Sequence, residues 1–247
     1  MKIIISPAKV MEENPDIIEF ENLPTYIKDT EILLKKLQNM TYDNQKKLWK
    51  TSDSLTELNR ERFKNMDLYS NLSPAILTYQ GNQYKHMGPV AFNNKELEYI
   101  EKNLRILSGF YGILRPLDGI RPYRLEMGSK LKIGHNKDLY DFWGDKLYKE
   151  VIDSDRLIIN LASKEYEKII KDHLIEKDRF ITIVFGQLKD GKVKQNPSKS
   201  KMARGEMVRF MAERNISSID EIKDFSLFNF SYRKDLSNKE KLVFVEK

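Results

Sequence analysis

The sequence predicts an α/β chain, a mixed α+β arrangement in which helices cover a mixed sheet, folded as one unit over residues 1–247. Three observations carry this expectation. Apolar, β-branched runs of strand length recur, as at 2–6 and 156–163, and longer stretches with apolar residues every third or fourth position lie between them. Strands and helices alternate irregularly and include a hairpin, which suits a mixed sheet better than a regular doubly wound one. No internal repeat, low-complexity tract or Gly/Ser/Pro-rich linker divides the 247 residues, a length open to one large domain or two small ones.

The first strand is 2–6, ended by Pro7. Helical period follows over 24–40, with Ile27, Ile32, Leu33, Leu34 and Leu37 on one side. A second helix runs from Ser52 or Asp53 to Phe63, with Ser52 as its cap. Residues 75–79 read as a strand stopping at Gln80-Gly81, and Asn93-Asn94 offers caps for a helix reaching Leu104. The stretch 104–128 stands apart, rich in Gly, Pro, Arg and aromatics without a clean period. A helix is then expected over 138–152, a buried strand over 156–163 and a helix over 164–171. A hairpin over 180–195 turns at Asp190-Gly191. A basic helix over 199–214 and two short strands near 227–232 and 242–245 close the chain.

Hydrophobic residues form 40% of the chain, enough for a core, and charged residues 32%. Lys and Arg number 43 against 37 Asp and Glu, a formal +6 that fits a basic patch on a mixed surface. Cysteine is absent, which excludes disulfides, thiolate metal sites and a cysteine nucleophile and fits a reducing compartment. The N-terminal apolar run breaks at Pro7, too short for a signal peptide. No stretch approaches the roughly 20 apolar residues of a membrane span. The expectation is a cytoplasmic, monomeric protein without membrane association.

The positive charge is segregated. Residues 102–132 hold seven Lys and Arg against Asp118 and Glu126, a net +5, and residues 189–214 hold eight against three carboxylates, again +5. Together they exceed the charge of the whole chain, so the remainder is slightly acidic. Such clustering suits phosphate, because Arg presents a planar two-toothed fork and Lys a point charge. Solvated faces carry similar runs. Arg115, Arg121 and Arg124 alternate with Pro, Gly and Tyr in a loop-like stretch, which favours binding. In the basic helix Lys201 and Arg204 share a face, whereas Arg209 turns partly away.

Gly109 and Gly112 bracket a turn between expected helical stretches. A helix starting after Gly112 would aim N–H groups at a phosphate, the logic of a helix-hairpin-helix element. The alternative is a tight turn that packs Phe110 and Tyr111 inward. For chemistry, His86, His135 and His173 lack metal-ligand spacing, so no metal and no cofactor is expected. Glu126 is the leading carboxylate, either a partner of Arg121 and Arg124 or a general base. Ser163 ends a buried strand and opens a helix, a usual ligand position in open α/β sheets, though it could equally cap that helix. Lys9 likewise follows a buried strand and could reach a phosphate. No Walker A, Rossmann or nucleophile-elbow pattern occurs.

The segments ISPAK (5–9), LSGFYGILRPLDGIRPYRLEMG (107–128), DLYDFWGD (138–145), INLASKEY (159–166) and KMARGEMVRF (201–210) resemble the signature segments of the peroxide stress protein YaaA family, in order and over essentially the whole chain. The resemblance implies a distinctive single α/β fold with a positively charged cleft and a helix-hairpin-helix element. It also implies binding of duplex and branched DNA in a bacterial protein that limits free iron and oxidative damage under peroxide stress. No iron-ligand cluster accompanies the resemblance. Two functions are therefore expected in competition. One is non-sequence-specific DNA binding through Lys9, Gly109, Gly112, Arg115, Arg121, Arg124, Lys201, Arg204 and Arg209. The other is an enzyme acting on a nucleotide or nucleoside, such as a glycosidic-bond hydrolase, with Glu126 or Ser163 at the reacting centre.

Overall fold

The computed structural model describes residues 1–13 and 17–246. Its strands, in chain order, are β1 (Lys2–Ile5), β2 (Val10–Met11), β3 (Ser73–Pro74), β4 (Tyr79–Gln80), β5 (Leu104–Ser108), β6 (Gly112–Leu114), β7 (Gly119–Ile120), β8 (Leu157–Leu161), β9 (Arg179–Lys189), β10 (Lys192–Lys194), β11 (Phe230–Tyr232) and β12 (Lys241–Glu246). The helices are α1 (Ile27–Gln38), α2 (Tyr42–Trp49), α3 (Asp53–Lys64), α4 (Ala75–Thr78), α5 (Asn82–Met87), α6 (Asn94–Asn103), α7 (Leu139–Trp143), α8 (Lys146–Val151), α9 (Lys164–Lys171), α10 (Pro197–Glu213) and α11 (Ile219–Ile222).

The main sheet runs β11-β12-β9-β8-β1-β5-β6, with β10 paired to β9 alone. Its five central strands, β12, β9, β8, β1 and β5, are mutually parallel, and the edge pairings β5–β6 and β11–β12 are antiparallel. Numbered in chain order, the parallel five read 2-1-3-4-5, the order of one common doubly wound sheet. The chain therefore leaves β1 for β5 on one side and later returns to β8 on the other. The crevice between the carboxyl ends of β1 and β8 is the point where such sheets hold ligands. Both strands are almost fully buried. That explains why they read as continuous apolar runs rather than as alternating ones. Buried apolar side chains pack as one contiguous core from Met1 to Phe244.

Local chemistry sets most element ends as the sequence suggests. Ser52 caps α3 by accepting from Leu55 N–H, and Asn93 forms a capping box with Glu96 on α6. Asp190 (φ 54°) and Gly191 (φ 70°) make the β9–β10 turn, the two positive φ values a two-residue hairpin needs. Three expectations are corrected. Within the strand expected over 75–79, Ala75–Thr78 form the short helix α4 before β4 begins at Tyr79, with Thr78 Oγ1 donating back to the Pro74 carbonyl at 2.9 Å. The helix expected over 138–152 breaks into α7 and α8 at Gly144, where φ is 52°. The helix-hairpin-helix expected at Gly109–Gly112 is instead a β-hairpin, because β5 and β6 pair across it with Ser108 opposite Gly112. The alternative reading of that turn holds, since Phe110 and Tyr111 are buried.

Candidate functional site

Ser6 follows β1 and Ser163 follows β8, so the sheet order brings them together at the crevice. Ser163 N–H donates to Ser6 Oγ at 2.8 Å, and Ser6 Oγ donates to Ser163 Oγ at 3.2 Å. Tyr84 from α5 fixes the loop by donating its hydroxyl to the Ser6 carbonyl at 2.9 Å. Ser163 occupies the N-cap position of α9 yet its side chain makes no capping bond. The capping role open to it in the sequence is therefore not the one adopted. Its hydroxyl faces a cavity of about 240 Å³ that also touches Lys9, Arg124, Glu126, Lys201 and Arg204.

A second wall is the segment from Tyr123 to Glu126. Gly109 makes its position possible: a Cβ there would lie 2.6 Å from the Leu125 carbonyl oxygen and 2.9 Å from Met127 N. Behind this wall, Ser108 Oγ accepts from the N–H groups of Phe110 and Tyr111. With both lone pairs taken, it must donate to Tyr123 at 2.6 Å, and the Tyr123 and Tyr79 hydroxyls share a further hydrogen bond at 2.8 Å. Burial pushes the Tyr123 phenol up to about 12 and those of Tyr84 and Tyr166 well above the ordinary range. These tyrosines face the cavity as neutral hydroxyls, not phenolates. Glu126 bridges two cations, Arg124 Nη2 at 2.8 Å and Lys9 Nζ at 3.1 Å. Glu165, at the start of α9, accepts from Gly128 N–H at 2.7 Å and anchors the turn beyond Glu126.

The third wall is α10 against α5. The helices meet at Gly205, where a Cβ would fall 2.1 Å from the Gln83 carbonyl oxygen, and that contact turns Lys201 and Arg204 toward the cavity. Arg204 is the least satisfied group in the site. Its Nε is buried without an acceptor. Burial lowers its pKa, opposed by the charge of Glu167, whose Oε2 is already taken by the Asn160 amide. Among the described residues Arg204 enters no ion pair. A guanidinium stays charged under these conditions, and shielding its Nε from water without an acceptor carries a desolvation cost of about 1–3 kcal/mol. Four cations face two carboxylates, Glu126 and Glu165, so the lining carries a formal +2.

Of the residues singled out from sequence, Lys9, Arg124, Glu126, Ser163, Lys201 and Arg204 converge on this cavity. Others lie elsewhere. Arg115 is engaged by Asp118 at 3.2 Å and Glu101 at 3.7 Å. Arg121 reaches Glu13 at 3.1 Å and the Asn71 carbonyl at 2.8 Å, so it is not the partner of Glu126. Arg209 pairs with Glu213 at 2.7 Å. Gly109 supports the cavity wall from behind, and Gly112 (φ 75°) packs on Trp143. Neither glycine lines the cavity. His86 also lies outside it, its Nδ1 3.3 Å from Glu206. Among the described residues no group of three or more His, Asp or Glu side chains is placed to hold a metal ion. No helix among them is long and apolar enough to cross a membrane. Ser6, Glu165 and Tyr166 lie at the two strand ends where the sequence suggests a ligand, and all three line the cavity. Tyr84 and Tyr123 line it as well, and no local signal in the sequence marks them.

Comparison with known proteins agrees with the resemblance in the sequence. The family model described as peroxide stress protein YaaA matches residues 1–236. A UPF0246 protein of Pediococcus pentosaceus is 49% identical over 246 residues, covering 100% of this chain and 98% of the relative. Those of Agathobacter rectalis and Lachnoclostridium phytofermentans are 47% and 48% identical, covering 100% of this chain and 99% and 96% of their own length. With the family model and full-length relatives in agreement, the chain belongs to the peroxide stress protein YaaA family.

Proposed function

We propose that this chain acts in peroxide stress by binding a phosphate-bearing nucleotide unit in the Ser6–Ser163 cavity. Arg204 carries the reading. A partly buried guanidinium with no ion-pair partner among the described residues and no acceptor for its Nε, beside Lys201 and at a sheet switch point, is arranged for an anion supplied by a ligand. Phosphate on Arg204 and Lys201 would leave the neutral hydroxyls of Ser163, Tyr84 and Tyr123 for the polar edges of the sugar or base. Glu126, held by Lys9 and Arg124, is the acceptor available to a ribose hydroxyl. It is also the group to test for base catalysis if a glycosidic bond is broken there.

Duplex DNA held along one broad basic cleft is the second reading. It keeps support from the meeting of the two basic segments at Arg124, Lys201 and Arg204. The engagement of Arg115, Arg121 and Arg209 in internal ion pairs narrows the surface available to it. The test is a thermal-shift screen of nucleoside mono- and diphosphates, run beside fluorescence anisotropy with duplex DNA at low salt. Stabilisation by a nucleotide that disappears in Arg204→Met supports the cavity reading. Strong duplex binding untouched by Arg204→Met, with no nucleotide effect, overturns it. Glu126→Gln in an assay for released base decides whether the bound unit is also cleaved.

A further inference from the structure

On the first turn of α5, Gln83 is 7% exposed and lines the cavity. Both of its chain neighbours are satisfied within the protein. Asn82 Nδ2 donates to Ser198 Oγ at 2.8 Å, and the Tyr84 hydroxyl donates to the Ser6 carbonyl at 2.9 Å. Gln83 Nε2 is buried without an acceptor. The main chain here is held by close packing, since the Gln83 carbonyl oxygen is the atom against which Gly205 of α10 closes. A shift of α5 that carried the amide to a protein acceptor would open this contact.

The other buried amides set the standard that Gln83 departs from. Among the described residues the buried amide side chains are Gln45, Asn59, Gln83 and Asn160. Gln45 Nε2 donates to the Leu37 carbonyl at 2.9 Å, and Asn59 Nδ2 to the Leu55 carbonyl at 2.7 Å. Asn160 Nδ2 donates to Thr182 Oγ1 at 3.2 Å and to Glu167. Gln83 alone of these donates to nothing among the described residues. An amide N–H taken out of water with no acceptor opposes folding. Kept on the wall of a cavity, it calls for a ligand that brings the acceptor.

The chemistry of that acceptor follows from the rest of the lining. Two more buried donors without acceptors face the same space, the Nε atoms of Arg124 and Arg204. They belong to charged groups and suit phosphate. The Gln83 amide is neutral and suits a carbonyl or ring nitrogen on a planar edge, the kind of acceptor a glutamine amide meets on adenine. Pro7, Ala8 and Leu125 add apolar surface for a flat ring. Ala8 stands close to the start of α5, because a Cβ on Gly81 would lie 3.4 Å from its own. We infer that Gln83 reads the base of the bound nucleotide, donating Nε2–H to an acceptor on the ring edge. This rests on the nucleotide reading of the cavity and adds the residue that tells a base-bearing phosphate from a bare sugar phosphate. Arg204 and Lys201 hold the phosphate of either ligand; only the base meets Gln83.

The experiment is isothermal titration of the full chain with adenosine 5′-monophosphate, uridine 5′-monophosphate and ribose 5-phosphate. Each ligand is measured on the native chain, on Gln83→Leu and on Gln83→Met, two apolar replacements of similar size that lack the donor. The native chain is expected to bind at least one nucleotide about tenfold more tightly than ribose 5-phosphate, the worth of one buried hydrogen bond. Both variants should remove that preference, leave ribose 5-phosphate affinity within about twofold and keep the ligand-free melting temperature from falling. A nucleotide preference that survives both variants, or no preference in the native chain, overturns the role of Gln83 and leaves the cavity reading standing. An equal loss for all three ligands also overturns it, because Gln83 then only supports the cavity wall. Absence of binding by any of the three to the native chain overturns the cavity reading and this inference with it.

Discussion

Arg204 separates stability from function more cleanly than any other side chain in the molecule. A partly buried guanidinium whose Nε lacks an acceptor opposes folding, so its replacement by an apolar side chain that keeps the stem packing should relieve that cost. Arg204→Met is expected to raise the melting temperature of the ligand-free chain by several degrees, from about 1–2 kcal/mol of added stability. The same change should abolish nucleotide-dependent stabilisation. Calorimetry with and without ligand reads both effects, and a drop in ligand-free stability would assign Arg204 a structural role instead. Asp118 poses a different single-residue test. It is fully buried, accepts from Arg115 N–H at 2.8 Å and Nε at 3.2 Å, and burial pushes its carboxyl up to about 7. A carboxyl with a folded pKa above its unfolded value near 3.8 stabilises the fold fully below about pH 4. That contribution fades as pH rises through about 7. Burial moves Glu101 in the same direction. Urea unfolding should therefore show stability falling from pH 5 to pH 8, and Asp118→Asn should flatten most of that slope. A stability that rises over this range in the native chain would contradict the assignment.

At the scale of elements, the site depends on close approaches that only glycine allows. Gly205 brings α10 onto α5, and a Cβ there meets the Gln83 carbonyl oxygen at 2.1 Å. Gly205→Ala is expected to destabilise by about 1–3 kcal/mol and to weaken nucleotide binding more than stability alone explains, because it lifts Arg204 and Lys201 away from Tyr84. Chemical denaturation beside ligand titration separates the two losses. These contacts were not legible in the sequence, since nothing in KMARGEMVRF says which helix the glycine faces. Helix starts were legible, as at Ser52 and Asn93, because capping is local, whereas the inward face was not, since on α3 Leu55 and Leu58 are exposed and Thr56, Asn59 and Phe63 are buried. The failures are equally physical. The run AILTY at 75–79 is short and mostly apolar, so period cannot tell a strand from the buried turn of helix that forms. The glycines at 109 and 112 read as a phosphate-facing turn because their partners, the 125–127 segment and Trp143, are contributed from elsewhere in the chain.

For the whole molecule, the decisive fact is sheet order. Ser6 and Ser163 stand 157 residues apart in sequence and meet only because β8 pairs with β1 on the side opposite β5. Residue types at strand ends suggested each separately; their union follows from topology, which a single sequence does not reveal. Charge behaves in the same way. The two basic segments are visible by counting, yet folding turns only Arg124 and Arg204 of their arginines to the cavity and engages Arg115, Arg121 and Arg209 with carboxylates elsewhere. That division predicts a graded response to neutralisation. Arg121→Gln and Arg209→Gln remove cations already paired with Glu13 and Glu213, so each should leave nucleotide affinity within about twofold. Stability should move by no more than about 1 kcal/mol, as for partly exposed pairs. Lys201→Gln removes a cation with no partner among the described residues and a place on the cavity wall. Its affinity should fall about tenfold, the equivalent of one charge-assisted hydrogen bond. The three variants carry the same change in net charge, so isothermal titration at one ionic strength compares position alone. Equal losses in all three would mean that the field of the whole surface, not the cavity, attracts the ligand.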